Sequence, residues 1–528
     1  MRLRIALTIS GAVALGAYEG GALAALLCGI RGMCQGDDPV VRIDAIGGAS
    51  AGSITGMLAA RCLLEGIDPL YVMREAWVER DSLSVMRTDA PDEPLSLDAL
   101  RRASIDLLDP RDRSGAPTHR VDARQRAPIR MVMALASLRG LEYRVPSLSA
   151  RQPVRATTSL DWATFTFTSG QPARELVEPR RASPTDVALA SAANALAFRP
   201  VLLDRSDGED GYRARGIVNF PPSKHLWYTD GGVLDSEPLT RTLDLVREVD
   251  RDSPPDTQRI QLLVHPNPTG APTGTAWADE QNPPTWLATL LRARDLQRTQ
   301  SVYDDLLHLE QINTRLDWTG RLFDEIGPVL DDLDRETAAR LREALVRAIG
   351  VIEGQRRALR AHEQDPAAAA PQPVADYADS ATTELLRDAV AQIAGIAGKE
   401  RIALEVVSPL LLPEARSTPV AQLLAGEFLF HFGGFLSREL RLSDFDLGYR
   451  STLAWLRDGG LRENGLSGEH EQEALQQAED AYRPGERWRA YGRTAFQDLP
   501  ARERLALVSV FAHVARVVAH DLRHRRPQ

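Results

Sequence analysis

Apolar runs of strand and helix type alternate from the first residues of the chain. "LRIALTIS" (3–10) has the β-branched and apolar content of a short buried strand, and "GALAALLCGI" after it reads as a helix rich in Ala and Leu. "VRIDAIGG" (41–48) followed by "AGSITGMLAARCLLEG" repeats the order strand, tight turn, helix, which predicts an α/β layer over a buried parallel sheet. Residues 85–125 hold many charges and prolines and predict exposed helices and loops. "PIRMVMALASL" (128–138) fits either a strand or a buried helix by periodicity, and the alternating "VRATTSL" and "ATFTFTSG" beyond it favour a strand. "PTDVALASAANALAF" (184–198) predicts a helix opened by Pro184 and Thr185, and "KHLWYT" and "RIQLLVHP" predict the last core strands. From about residue 280 the pattern changes to long charged helices. "HPNPTGAPTGT" marks a boundary near 270–280, and the proline-rich "DPAAAAPQPVAD" (365–376) a second, flexible connector. The expected organisation is one domain over residues 1–275 and a mainly α-helical extension over 276–528, with a linker near 364–378.

With 528 residues, 43% of them hydrophobic and 26% charged, the chain has apolar mass for more than one core. Its net charge of -10 gives no electrostatic reason to expect a nucleic-acid partner, since phosphate binding is driven by clustered Lys and Arg, and none is expected. After the N-terminus no uninterrupted apolar run reaches about 20 residues. Contact with a membrane surface stays open. The C-terminal "AHVARVVAHDLRHRR" pairs apolar residues at helical spacing with a basic end, a pattern open to anionic lipid or to packing on the extension. Cys28, Cys34 and Cys62 form no C-x-x-C pair, which argues against a disulfide framework or zinc site and fits buried thiols in a reducing compartment. No carboxylate spacing requires a metal, and no cofactor is expected.

Gly48-Ala49-Ser50-Ala51-Gly52 is a G-x-S-x-G between an expected strand and an expected helix. A nucleophile elbow needs this arrangement, because the serine must sit on a tight turn with small flanking residues. The serine also needs a proton acceptor. None of the ten histidines lies in a comparable motif, and His225 and His265 read as structural. Two D-G-G turns offer a carboxylate instead. Asp230 follows the strand "HLWYT" at the edge where core strands deliver side chains, whereas Asp458 follows a helix that needs a glycine cap; Asp230 is therefore the candidate, with Gly231 and Gly232.

The stretches "SGAVALGAYEGGAL", "GGASAGS", "ALASAANALAFRPV" and "DGGVLDSEPL", in that order, resemble the patatin-like phospholipase family. The resemblance implies an α/β fold with a three-layer α/β/α core and a central, mostly parallel sheet. It implies a Ser-Asp dyad with Ser50 as nucleophile and Asp230 as base, and an oxyanion hole from the loop Gly11, Ala12 and Val13. The loop departs from the common pattern: Ala12 and Val13 stand where glycine is usual, and Leu15 where Lys or Arg is usual. It is similar in this to a bacterial branch with a long helical C-terminal extension, to which "FGGFLSRELRLSDFDLGYR" (432–450) is also similar. The opening 30 residues, which share features with an export signal, are then expected to be the first strand and loop of an enzyme, which fits a location in the cytoplasm or peripheral at the membrane. The function expected is a serine lipid acyl hydrolase, phospholipase A-like or carboxylesterase, acting through an acyl-enzyme on a lipid or acyl ester. The alternative is an interaction scaffold whose helical extension binds a protein partner. An acyltransferase is the third reading.

Overall fold

The computed structural model describes residues 2–36, 38–88, 90, 93–145, 154–177, 182–250, 257–269, 285–361, 382–394, 396, 403–429, 431–491 and 499–524. Its centre is an eight-stranded sheet: β1 (Arg2–Ile9), β2 (Val41–Gly48), β3 (Ile129–Val145), β4 (Val154–Phe167), β5 (Val201–Asp204), β6 (His225–Asp230), β7 (Thr257–Val264) and β8 (Ala403–Val407). The order is β5-β6-β3-β2-β1-β7-β8, with β4 also paired to β3. The sheet is mixed, being parallel from β3 through β2, β1 and β7 to β8 and antiparallel where β4 and β6 meet β3 and where β5 meets β6. The length of β3 explains this. Its first residues pair with β2, and β6 takes over beyond the end of β2.

Strand alternation builds the three expected layers. On β1, Leu3, Ile5, Leu7 and Ile9 enter the main core on one face, while Ala6, with Ala45 and Val132, packs on Leu245 and Val246 from the helix Leu239–Asp250 on the other. Helices α1 (Gly16–Ile30) and α2 (Ala51–Glu65) cover the first face. Every residue of α1 is buried, which accounts for a sequence apolar on all sides but for Glu19, whose carboxylate accepts from Ser10 Oγ at 3.1 Å. The stretch Val13–Cys34 is long and apolar enough to cross a bilayer, yet nearly all of it is buried within the fold.

The outer cover of α1 comes from the far end of the chain. Helix Arg438–Arg457 crosses α1 so closely that a Cβ on Gly21 would collide with the Phe445 carbonyl, and one on Gly448 with the Tyr18 carbonyl. Phe445, Leu447, Tyr449, Leu453, Trp455 and Leu456 complete the main core. β8, also from this region, extends the parallel sheet beyond β7. Residues beyond the boundary expected near 275 thus supply both a strand and a helical layer to the N-terminal core; the expected linker near 364–378 lies outside the described residues. Two long helices, Trp286–Asp331 and Arg335–Ala361, match the charged helical pattern of the extension. The helix expected over 184–198 ends at Ser191, where the chain turns to bring Ala193 and Asn194 toward β6. Cys28, Cys34 and Cys62 are free and buried, and burial pushes the Cys28 and Cys34 thiols up to about 12.

Candidate active site

One strand sets the spacing of the two candidate catalytic residues. On β3, Met133 pairs with Gly48 at the end of β2, and Leu135, two residues on, pairs with Asp230 at the end of β6. The ends of β1 and β2 lie side by side as well, with Ile9 opposite Gly48. Carboxyl ends of parallel strands are where an open α/β sheet places its ligands. The loop after β1, the turn after β2 and the end of β6 therefore converge.

Ser50 sits between β2 and α2 with φ 51° and ψ -122°, a strained conformation for a residue with a Cβ. Its surroundings hold it there. The Ser50 amide donates to Ser191 Oγ at 2.9 Å, Ser191 Oγ bonds Ser53 Oγ at 2.9 Å, and Ser53 Oγ donates to the Gly48 carbonyl at 2.9 Å. A Cβ on Gly48 would lie 2.5 Å from the Gly52 oxygen, and one on Gly52 2.6 Å from the Ser10 oxygen, so both flanking glycines are required. As N-cap of α2, Ser50 also stands at the positive end of the helix dipole.

Asp230 is 4% exposed, and its carboxylate is held from two sides: Oδ1 accepts from the Gly232 amide at 2.9 Å and Oδ2 from Asn194 Nδ2 at 3.1 Å. Its own amide donates to the Ala193 carbonyl at 3.0 Å. Gly231 leaves no room for a side chain beside the Ala134 carbonyl. A Cβ placed on Gly232 would lie 3.3 Å from Asp230 Oδ1 and 3.7 Å from Ser50 Cβ, so the two residues meet across this glycine. Farther back on β6, the Tyr228 hydroxyl donates to the buried Asp161 at 2.6 Å and steadies the strand.

The loop after β1 is pinned at both ends. The Gly11 amide donates to the Ser236 carbonyl at 2.8 Å, and the Ala14 amide to the His431 carbonyl at 3.1 Å. Gly11 thus spends its amide within the fold. Between the pins lie Ala12 and Val13, whose amides meet no acceptor among the described residues, and Val13 takes φ 54° despite its β-branch. A Cβ on Gly11 would come within 3.3 Å of Ser50 Cβ, which places the loop against the elbow. Leu15, where the common pattern has a cation, is buried.

The second pin belongs to the extension. Residues 433–436 pack on this loop, Gly434 facing Ala14. Arg441 locks the turn by donating to the carbonyls of Gly434 at 3.0 Å and Val78 at 2.9 Å, and Asp444 accepts from the amides of Ala425 and Gly426 at 2.6 and 2.8 Å. A Cβ on Gly434 would stand 3.0 Å from Ala14 Cβ. Gly434→Val should therefore shift the loop and lower kcat roughly tenfold to a hundredfold with little change in KM, since displacements near 1 Å can cost that much. Adding Ala14→Gly should restore part of the loss. Steady-state kinetics of the three proteins check this, and an unchanged kcat in the single variant would contradict it.

Asp81, buried beside Arg441, has one carboxylate oxygen without a hydrogen-bond partner among the described residues. Burial pushes its pKa up to about 7 against the pull of the Arg441 charge. In the unfolded chain the carboxyl ionises near its ordinary value of about 3.9, so as pH rises the unfolded state loses this proton first and stability falls until the folded pKa is passed. Asp81→Asn should remove that slope, worth on the order of 4 kcal/mol once both states have titrated. Denaturant unfolding of both proteins at about pH 5 and about pH 8 captures about 3 kcal/mol of it, and an equal change in stability with pH in the two proteins would contradict the assignment.

Neither of the two histidines considered from the sequence lies at the Ser50–Asp230 pair. His225 begins β6, at the opposite end from Asp230, and the buried His265 ring lies 3.1 Å from Glu237. Sequence reasoning missed Ser191, Asn194, Ser53 and Ser236 as supports, although Ser191 and Asn194 lie in the small-residue stretch "ALASAANALAF". Among the described residues no three or more His, Cys, Asp or Glu side chains are gathered to hold a metal ion.

The family model described as Patatin-like phospholipase matches residues 7–243, a span that holds the loop after β1, Ser50 and Asp230. No curated protein matches the chain. Among solved structures, the crystal structure of VipD from Legionella pneumophila aligns over 98% of this chain and 91% of its own at 12% identity, with a TM-score of 0.18. The family-model match thus places a patatin-like phospholipase domain over residues 7–243, and lipid acyl hydrolysis is the general activity that family supports.

Proposed function

We propose that the protein hydrolyses carboxylic esters of lipids, phospholipase A-like or as a carboxylesterase, through a Ser50–Asp230 dyad. The observation that carries this reading is the meeting of three elements: a strained serine at a helix N-terminus, a buried aspartate across Gly232, and, in the loop packed against the elbow, two adjacent amides that meet no acceptor among the described residues. Asp230 takes the Ser50 hydroxyl proton as Oγ attacks the ester carbonyl. The negative charge that develops on the carbonyl oxygen is met by the amides of Ala12 and Val13 and by that of Ala51, the first residue of α2. Collapse of the tetrahedral intermediate expels the alcohol, which receives the proton from Asp230 and leaves an acyl group on Ser50. Water then gives its proton to Asp230, attacks the acyl carbonyl, and releases the fatty acid with the serine restored.

An aspartate is a weak base at neutral pH, with an ordinary pKa of about 3.9. Positioning and oxyanion stabilisation must then supply most of the acceleration, and each oxyanion donor is typically worth about 10²–10³ in rate. The double pinning of the loop supports this division of labour. Three buried, unpaired thiols support a reducing, cytoplasmic setting as part of the proposal. The test is product analysis with p-nitrophenyl esters and phosphatidylcholine: release of free fatty acid supports the reading. Transfer of the acyl group to an added alcohol without free acid would favour the acyltransferase reading, and no turnover of any ester would return the scaffold reading.

A further inference from the structure

The helix Ala501–His524 lies against the turn 433–436, the same turn that touches the loop after β1. His513 Nε2 fastens it by a hydrogen bond to the Glu93 carbonyl at 2.9 Å. Leu507 and Val517 are the buried ones among its described side chains. The helical repeat turns Leu505, Val508, Phe511 and Val518 outward, where they are 70, 56, 57 and 52% exposed. Arg504, Arg516 and Arg523 are exposed on the same helix. Glu503, the one acid on this helix whose side chain is described, is half-buried and lies one turn before Leu507, on the packed side. Among the described side chains the outward face thus combines large apolar groups with positive charge and no negative charge, in a chain whose net charge is -10.

We propose that this face docks on an anionic lipid surface, with Leu505, Val508, Phe511 and Val518 entering the boundary between headgroups and acyl chains and the three arginines meeting negative headgroups. Apolar side chains bordered by arginine, without acids, are the composition of a helix that lies in the membrane plane. Charge decides the class of lipid, since each such cation is attracted by the negative potential of an anionic leaflet. A bilayer is favoured over a protein partner because the neighbouring site carries exposed apolar side chains of its own: Val233 and Leu234 just after Asp230, and Leu196 just after Asn194. The inference rests on the lipid-hydrolase reading and deepens it by naming the surface that would deliver the substrate.

Vesicle co-sedimentation of the full chain tests it, using phosphatidylcholine alone and phosphatidylcholine mixed in equal parts with phosphatidylserine. Binding is measured in a Ser50→Ala background as well as in the wild type, so that it is read independently of turnover. Both proteins should bind the mixed vesicles and bind phosphatidylcholine only weakly. The triple variant Arg504→Gln, Arg516→Gln, Arg523→Gln should lose on the order of a hundredfold in affinity, about fivefold for each charge. Phe511→Asp should lose on the order of tenfold or more. These exposed substitutions should leave hydrolysis of a soluble p-nitrophenyl ester unchanged while lowering hydrolysis of vesicle phospholipid. Equal binding to both vesicle types, undiminished binding by the triple variant, or no binding by the folded wild type would each overturn the proposal. Binding of the predicted kind by a protein inactive on every ester would instead sustain the docking face and remove the hydrolase reading.

Discussion

Replacing Ser50 with alanine should lower ester hydrolysis by 10³ or more, roughly the scale on which loss of a nucleophile is felt, with the fold intact. Ser50 is 4% exposed, but its hydroxyl makes no cap bond to α2, and the turn is held by its backbone amide on Ser191 Oγ. An alanine keeps that amide bond. Asp230→Asn should fall by a similar factor, because an amide cannot accept the serine proton, although its oxygen can still take the Gly232 amide bond. The two losses should not add: once either member is gone, the other has no chemistry left to perform. Hydrolysis of a medium-chain p-nitrophenyl ester by the two single variants and the double variant gives the answer. Activity retained in either single variant would remove that residue from the mechanism.

A chain ended after residue 275 should fail to give a folded, active domain. Such a chain leaves the β7 edge without β8 and uncovers α1, a helix whose one charged residue, Glu19, gives it no polar face to turn to water. Removing Phe445, Leu447, Tyr449, Leu453, Trp455 and Leu456 from the core forfeits about 1.5–3 kcal/mol for each large apolar side chain. That loss rivals the entire stability of a typical domain, about 5–15 kcal/mol. The truncation also takes away the His431 carbonyl that pins the loop after β1. Expression of residues 1–275, followed by circular dichroism and an ester assay, tests this. A soluble, cooperatively melting and active fragment would contradict it.

The reach of the sequence differed between chemistry and architecture for physical reasons. A G-x-S-x-G or D-G-G turn is local: the glycines are demanded by backbone atoms a few residues away, as at Gly48 and Gly52, so the short string carries the information. The register that brings Ser50 and Asp230 together is not local, because it depends on β3 pairing with β2 and then β6. The order of strands and helices still pointed to the right layers. β8 is five residues long and half-buried, with its partner β7 nearly 140 positions away, so nothing in "ALEVV" announces a core strand. The role of α1 was hidden in a similar way. Its uniform apolarity was plain, but its cover, Arg438–Arg457, comes from the far end of the chain through Gly21 and Gly448. Ser191 and Asn194 were inside a stretch already singled out, yet small polar residues at a helix end and in the turn after it give no sign of which groups they will bind.

Reaction with a fluorophosphonate, read by mass spectrometry of the intact protein and its peptides, tests the central claim most directly, because it requires both an activated serine and a site that accepts a developing oxyanion. A single adduct on Ser50, abolished by Asp230→Asn and by Ser50→Ala, is the result the dyad predicts. No adduct on the folded wild-type protein, or an adduct on Ser50 that persists at the same rate in Asp230→Asn, would contradict it.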